Sequence, residues 1–207
     1  MLLFMQNKER KLIMKIAAIG DSVTRGFDGF KDITENYPYY LSQIMHYPVD
    51  NFGINGATIK DDLDSEISNV QWKAYQQCIL FMGTNDYGHN ADKLQSVINE
   101  LKNCLAFILQ TNPDIQITAV LPLTRYDGHQ NAAEQVRFAN YTFNELLDTL
   151  AKTYKKYDIP VLDWRSLYPN FINDDNYQVK YNDQHVHPTA QTYYQIAKKI
   201  AKFIKKQ

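Results

Sequence analysis

The chain has 207 residues, 44% hydrophobic and 22% charged, with a formal net charge of -1. That length holds one α/β domain with a full core, and the even charge balance offers no basic surface, which argues against nucleic acid as a partner. Cys78 and Cys104 sit in apolar segments without CxxC spacing and read as buried free thiols, neither a disulfide nor a metal site.

At the start, Met1–Met5 are apolar, but Lys8, Glu9, Arg10 and Lys11 follow where a signal peptide has its small-residue cleavage site. No stretch reaches the length of a membrane span. Residues 1–14 therefore read as an N-terminal extension, 15–207 as one domain, and the protein as cytoplasmic.

The first strand is Ile16–Ile19, a short unbroken apolar run stopped by Gly20-Asp21-Ser22, the pattern of a strand buried on both faces. A polar, glycine-containing loop covers Thr24–Asn36. Pro38 opens a helix to about His46, with Leu41, Ile44 and Met45 on its apolar face. Val49–Phe52 is a second strand, followed by the loop Gly53–Thr58. Asp61, Asp62, Asp64 and Glu66 read as a solvated helix face. Cys78–Met82 is the clearest buried strand, ending in Gly83-Thr84-Asn85-Asp86. Ala91–Gln110 carries a helical apolar stripe, and Ile115–Leu121 is a fourth strand. Pro122–Asn131 is a polar loop in which Arg125 and His129 read as solvated. Ala132–Tyr157 is predicted as one long helix with Val136 and Phe143 inward. Ile159–Leu162 makes a fifth strand, 163–182 is irregular, and Thr189–Lys206 is a closing helix whose lysines suit its C-terminal dipole.

Strands and helices alternating five times predict a five-stranded parallel sheet covered on both faces. In such sheets, chemistry collects at the C-terminal strand edge. Ser22, the loop Gly53–Gly56 and Asn85 all fall there, and His187 lies just before the last helix. Acyl transfer needs such a set: a hydroxyl, an imidazole to take its proton, a carboxylate to orient the imidazole, and fixed donors for the oxyanion. Each piece alone is a turn residue, a cap or a surface histidine; their joint placement points to catalysis. There is no G-x-S-x-G elbow, P-loop, H-E-x-x-H or full G-x-G-x-x-G.

In these blocks the chain resembles the SGNH (GDSL-type) hydrolases. Gly20-Asp21-Ser22 matches the first block, Asn51–Gly56 the second, Gly83-Thr84-Asn85-Asp86 the third, and Asp183–Pro188 approximates the last. The resemblance implies a flavodoxin-like three-layer α/β/α sandwich and serine ester hydrolysis without metal or organic cofactor. It implies Ser22 as nucleophile, His187 as base, and Ser22, Gly56 and Asn85 as the oxyanion hole. The last block departs from Asp-x-x-His-Pro, because Gln184 stands three before His187 and Asp183 one further away. A one-residue bulge bringing Asp183 to His187 is the favoured reading. The alternatives are a Ser–His dyad oriented by a backbone carbonyl, and His185 as base. Asp21 and Asp86 read as structural, holding their loops. The substrate class is a small-molecule ester, with short acyl groups on a polar alcohol such as a sugar favoured. The alternatives are a lysophospholipase or thioesterase, and a non-catalytic binding module.

Overall fold

A computed structural model describes residues 14–89 and 91–207. The expected extension thus lies, up to residue 13, outside the described residues. The elements run β1 (Ile16–Gly20), α1 (Ser22–Arg25), α2 (Tyr37–Met45), β2 (Val49–Asn51), α3 (Leu63–Ser68), β3 (Gln77–Phe81), α4 (Thr84–Gly88), α5 (Leu94–Thr111) and β4 (Gln116–Val120). There follow β5 (Tyr126–Asp127), β6 (Gln130–Asn131), α6 (Phe143–Lys155), β7 (Val161–Leu162), α7 (Trp164–Leu167), α8 (Tyr177–Lys180) and α9 (Ala190–Ile204).

The main sheet is parallel, in the order β2-β1-β3-β4-β7. Every residue of β1 and β3 is buried, as expected of central strands covered on both faces. On one side Ala17, Ile19, Cys78, Leu80 and Ala119 pack under α3, α5 and α6. On the other Ile16, Ala18, Ile79, Phe81 and Leu162 pack under α2, α9 and the segment from Trp164 to Tyr181. This is the three-layer flavodoxin-like arrangement. The chain order reverses between β1 and β3, so the ends of these two strands flank the crevice in which such folds bind ligands. Among the described residues, no helix is long and apolar enough to cross a membrane.

The structure corrects several expectations. The helix predicted over Ala132–Tyr157 begins only at Phe143. Thr142 caps it: the Thr142 hydroxyl accepts from the Glu145 N–H at 3.1 Å, and the Glu145 carboxylate accepts from the Thr142 N–H at 2.7 Å. The preceding stretch is irregular, and its Gln135 carbonyl accepts a tertiary hydrogen bond from the Tyr87 hydroxyl at 2.9 Å. Val136, expected inward, is 57% exposed. The irregular region 163–182 contains the one-turn helices α7 and α8. The polar loop Pro122–Asn131 folds into the hairpin β5–β6, whose turn places Gly128 at φ 56° and His129 at φ 67°. His129 is exposed, but Arg125 is buried rather than solvated. Glu66, expected on a wet helix face, is buried too. Cys78 and Cys104 are buried free thiols.

Candidate active site

Strand β1 stops at Gly20 because the chain must fold back at once. A Cβ at this position would meet Thr24 Oγ1 at 2.2 Å and the Phe81 carbonyl oxygen at 2.4 Å. Asp21 then caps α1, its carboxylate accepting from the Val23 N–H at 2.9 Å. Ser22 is the first residue of that turn, where backbone N–H groups have no acceptor within the helix. Burial raises the pKa of Asp21 to about 6, against the opposing pull of the Val23 N–H and the charges of His187 and Arg125.

The loop after β2 is drawn onto this turn. The Ile54 N–H donates to the Gly20 carbonyl at 2.9 Å, and the Asn51 side chain donates to the Thr24 carbonyl at 2.8 Å. Gly56 has φ 78° with open space around its missing Cβ, so glycine is needed there for backbone conformation rather than room. After β3, α4 grips the same loop twice. Asn85 Nδ2 donates to the Ala57 carbonyl at 2.9 Å, and Asp86 accepts from the N–H groups of Ile59 at 2.9 Å and Lys60 at 3.0 Å. Burial raises the pKa of Asp86 to about 7 despite those donors. Asp21 and Asp86 therefore both hold loops through backbone hydrogen bonds.

The last loop, between α8 and α9, is closed by an isolated bridge between Tyr181 and Pro188 and by the Asn182 N–H on the His187 carbonyl at 2.9 Å. Within it, Asp183 Oδ1 accepts from the N–H groups of His185, Val186 and His187, at 2.9, 3.1 and 3.1 Å. Asp183 Oδ2 lies 2.5 Å from His187 Nδ1. The additional residue, Gln184, is accommodated at φ 56°, a left-handed conformation that costs a side-chain-bearing residue energy. Burial alone would raise the pKa of Asp183, but the His187 hydrogen bond and charge, with the backbone donors, outweigh it and hold it at about 2.

On its other side, His187 Nε2 lies 3.0 Å from Ser22 Oγ, and the imidazole meets the ring of Phe27 edge-on at 4.9 Å. The structure thus brings Ser22, His187 and Asp183 into one continuous chain; Gly56 lies in the loop bonded to the turn that carries Ser22, and Asn85, on α4, bonds to that same loop. His185 is engaged elsewhere, with Nε2 2.7 Å from Asp127 Oδ1.

Arg125 is the residue that sequence reasoning missed. It is 2% exposed, pairs through Nε with both Asp127 oxygens at 3.1 and 2.9 Å, and donates from Nη1 to the carbonyl and hydroxyl of Thr84 at 3.4 and 3.3 Å. Arg137 joins Asp127 at 2.5 Å. Burial opposes ionisation of Asp127, but its bonds to His185 and Arg125 and the two arginine charges prevail and hold its pKa well below the usual carboxylate range. Arg125 therefore ties the start of α4, which carries Asn85, to the loop that carries His187. Its only signal in the sequence was an aspartate two residues on.

Glu66 lies beneath the same edge. Its Oε1 accepts from the Gly20 N–H at 2.9 Å, and its Oε2 has no partner among the described residues. Burial raises its pKa to about 8, with further contributions from Asp21 and Asp62. One group with metal-ligand atoms exists among the described residues: Asp64, Glu100 and Cys104, within 4.8 Å of one another. Burial pushes the Cys104 thiol up to about 12, which disfavours the thiolate a metal would need.

A hydroxyl on an imidazole, the imidazole on a carboxylate, and donor-rich loops at the switch point of a flavodoxin-like sheet together define a serine ester hydrolase. The model of the GDSL-like Lipase/Acylhydrolase family matches residues 18–194, and the chain belongs to that family. Solved structures share the fold. A protein of the G-D-S-L family from Desulfitobacterium hafniense is 23% identical with a TM-score of 0.72, covering 92% of this chain and 99% of its own. The lipase/acylhydrolase from Enterococcus faecalis is 19% identical with a TM-score of 0.72, covering 93% and 96%. Axe2, an acetylxylan esterase from Geobacillus stearothermophilus, is 19% identical with a TM-score of 0.64, covering 92% and 94%. No curated protein sequence matches the chain.

Proposed function

We propose that the enzyme cleaves short acyl esters, acetyl above all, from a carbohydrate or other small polar alcohol, through an acyl intermediate on Ser22. The observation that carries this reading is the Ser22–His187–Asp183 chain, at 3.0 and 2.5 Å. With Nδ1–H donating to Asp183, His187 keeps Nε2 free to take the Ser22 proton as the hydroxyl attacks the ester carbonyl. The oxyanion is met by the N–H groups of Ser22 and Gly56 and by Asn85 Nδ2, whose other hydrogen is already fixed on the Ala57 carbonyl. His187 then protonates the leaving alkoxide. Water, deprotonated by the same imidazole, releases the acid and restores Ser22. Asp183 stays ionised throughout, consistent with its depressed pKa.

One feature supports a polar alcohol. Next to the His187 loop, His185, Asp127 and Arg137 form a polar cluster able to meet hydroxyl groups. The acetylxylan esterase among the structures of like fold agrees with this reading. The two free thiols suit a reducing compartment, and we place the enzyme in the cytoplasm.

A series of p-nitrophenyl esters from acetate to palmitate tests acyl length. Activity highest on acetate is expected; activity rising with chain length would favour the lysophospholipase or thioesterase reading. A fluorophosphonate probe should label Ser22 stoichiometrically and leave Ser22→Ala unlabelled, with kcat falling by roughly 10⁴–10⁶ in that variant.

A further inference from the structure

Away from Ser22, the outer face of α9 forms one wall of a second cleft, of about 620 Å³, a volume typical of small-molecule sites. Tyr168, Pro169 and Phe171, just after α7, form another wall, and Lys180 closes it from α8. The charged side chains lining it are Lys180, Lys198, Lys199 and Lys202, and neither aspartate nor glutamate is among them. Among the described residues, none of these lysines forms a salt bridge with a carboxylate.

Two of the four are half-buried and converge on the same aromatic floor. The Lys199 ammonium lies 3.9 Å from the Tyr168 ring centroid and 4.8 Å from that of Phe171. The Lys180 ammonium lies 5.1 Å from the Phe171 centroid and donates to Gln195 Oε1 at 2.5 Å. Burial lowers the pKa of both, and for Lys199 repulsion by Lys180, Lys202 and Lys198 adds to it. The α9 dipole accounts for Lys202 in its last turn. It does not account for Lys180, which belongs to another element and yet sets its ammonium near the same Phe171 ring as Lys199. Like charges crowded without a counter-charge repel, and an anion seated between them removes that cost.

We propose that this cleft binds a small soluble ligand bearing phosphoryl charge, its anionic end between Lys180 and Lys199 and its apolar part on Tyr168, Pro169 and Phe171. The site is separate from Ser22, and the proposal stands whatever ester the enzyme cleaves.

The test is calorimetric titration of the full chain with pyrophosphate at fixed ionic strength, beside sedimentation with phosphatidylcholine vesicles containing phosphatidylglycerol. Saturable binding of one pyrophosphate is expected. It should weaken at least about tenfold in K180Q/K199Q, given the strength of charge-assisted hydrogen bonds. K205Q/K206Q, which removes equal charge from the exposed end of the chain, should bind like the parent. Thermal unfolding checks that both variants fold. Absence of saturable binding would overturn the proposal. So would equal weakening in both variants, which would mark a diffuse field, or vesicle binding without pyrophosphate binding, which would mark a membrane headgroup as the ligand.

Discussion

His185 and His187 stand two positions apart in one loop, and each sets a ring nitrogen against an aspartate. Asp183 serves His187 alone among side chains, and the far nitrogen of that imidazole meets the Ser22 hydroxyl at 3.0 Å. Asp127, facing His185, is shared with Arg125 and Arg137 and is already neutralised by them. One pair ends on a hydroxyl, the arrangement we propose as the catalytic relay; the other is a knot that fastens two loops. A histidine–carboxylate contact therefore does not by itself mark a base. What the second nitrogen reaches, and whether the carboxylate has other cations, decides.

The sharpest way to break this contrast is to remove each imidazole in turn. His187→Ala should lower kcat by roughly 10⁴–10⁶, measured on p-nitrophenyl acetate, because hydroxyl and base act as a unit. A loss of less than tenfold would dissolve the distinction. Next in size is Arg125→Ala, expected to cost about 3 kcal/mol in urea unfolding, since it leaves half-buried Asp127 and the Thr84 acceptors short of donors. Glu66→Gln concerns pH. The folded-state pKa of about 8 stands above the ordinary value of 4.5, so the stabilisation is complete below 4.5 and is lost as pH rises towards 8. The parent's melting temperature should fall over that window, and the variant should lose much of that slope. The smallest effect belongs to His185→Gln. Its amide can still reach Asp127, and kcat should change less than about threefold. A drop matching that of His187→Ala would show that the base had been misassigned.

Much of the sheet was legible because buried parallel strands are short apolar runs, and Gly20 and Gly83 stop two of them abruptly. The serine and asparagine loops follow directly from those stops. The start of α6 was legible in principle: Thr142 and Glu145 have capping-box spacing, but the apolar residues of 132–141 mimic a helical stripe and mask it. Arg125 and Glu66 were not legible, because local patterning assigns charges to water. Their burial depends on partners far along the chain, such as Thr84 for Arg125 and Gly20 for Glu66. The approach of Asp183 to His187 was the favoured reading of the last block, and the structure adds the means, the left-handed backbone of Gln184.

Gln184 turns left-handed at φ 56°, and with one extra residue in the block the carboxylate still meets the imidazole. Contour length and spatial separation are thereby uncoupled at this point. A pattern search demanding three intervals would discard this chain, whereas a search for a carboxylate oxygen against Nδ1 would retain it. Relatives with a longer or shorter last block are best judged by that atomic juxtaposition, with glycine or asparagine at the extra position as the inexpensive evolutionary route to the same loop.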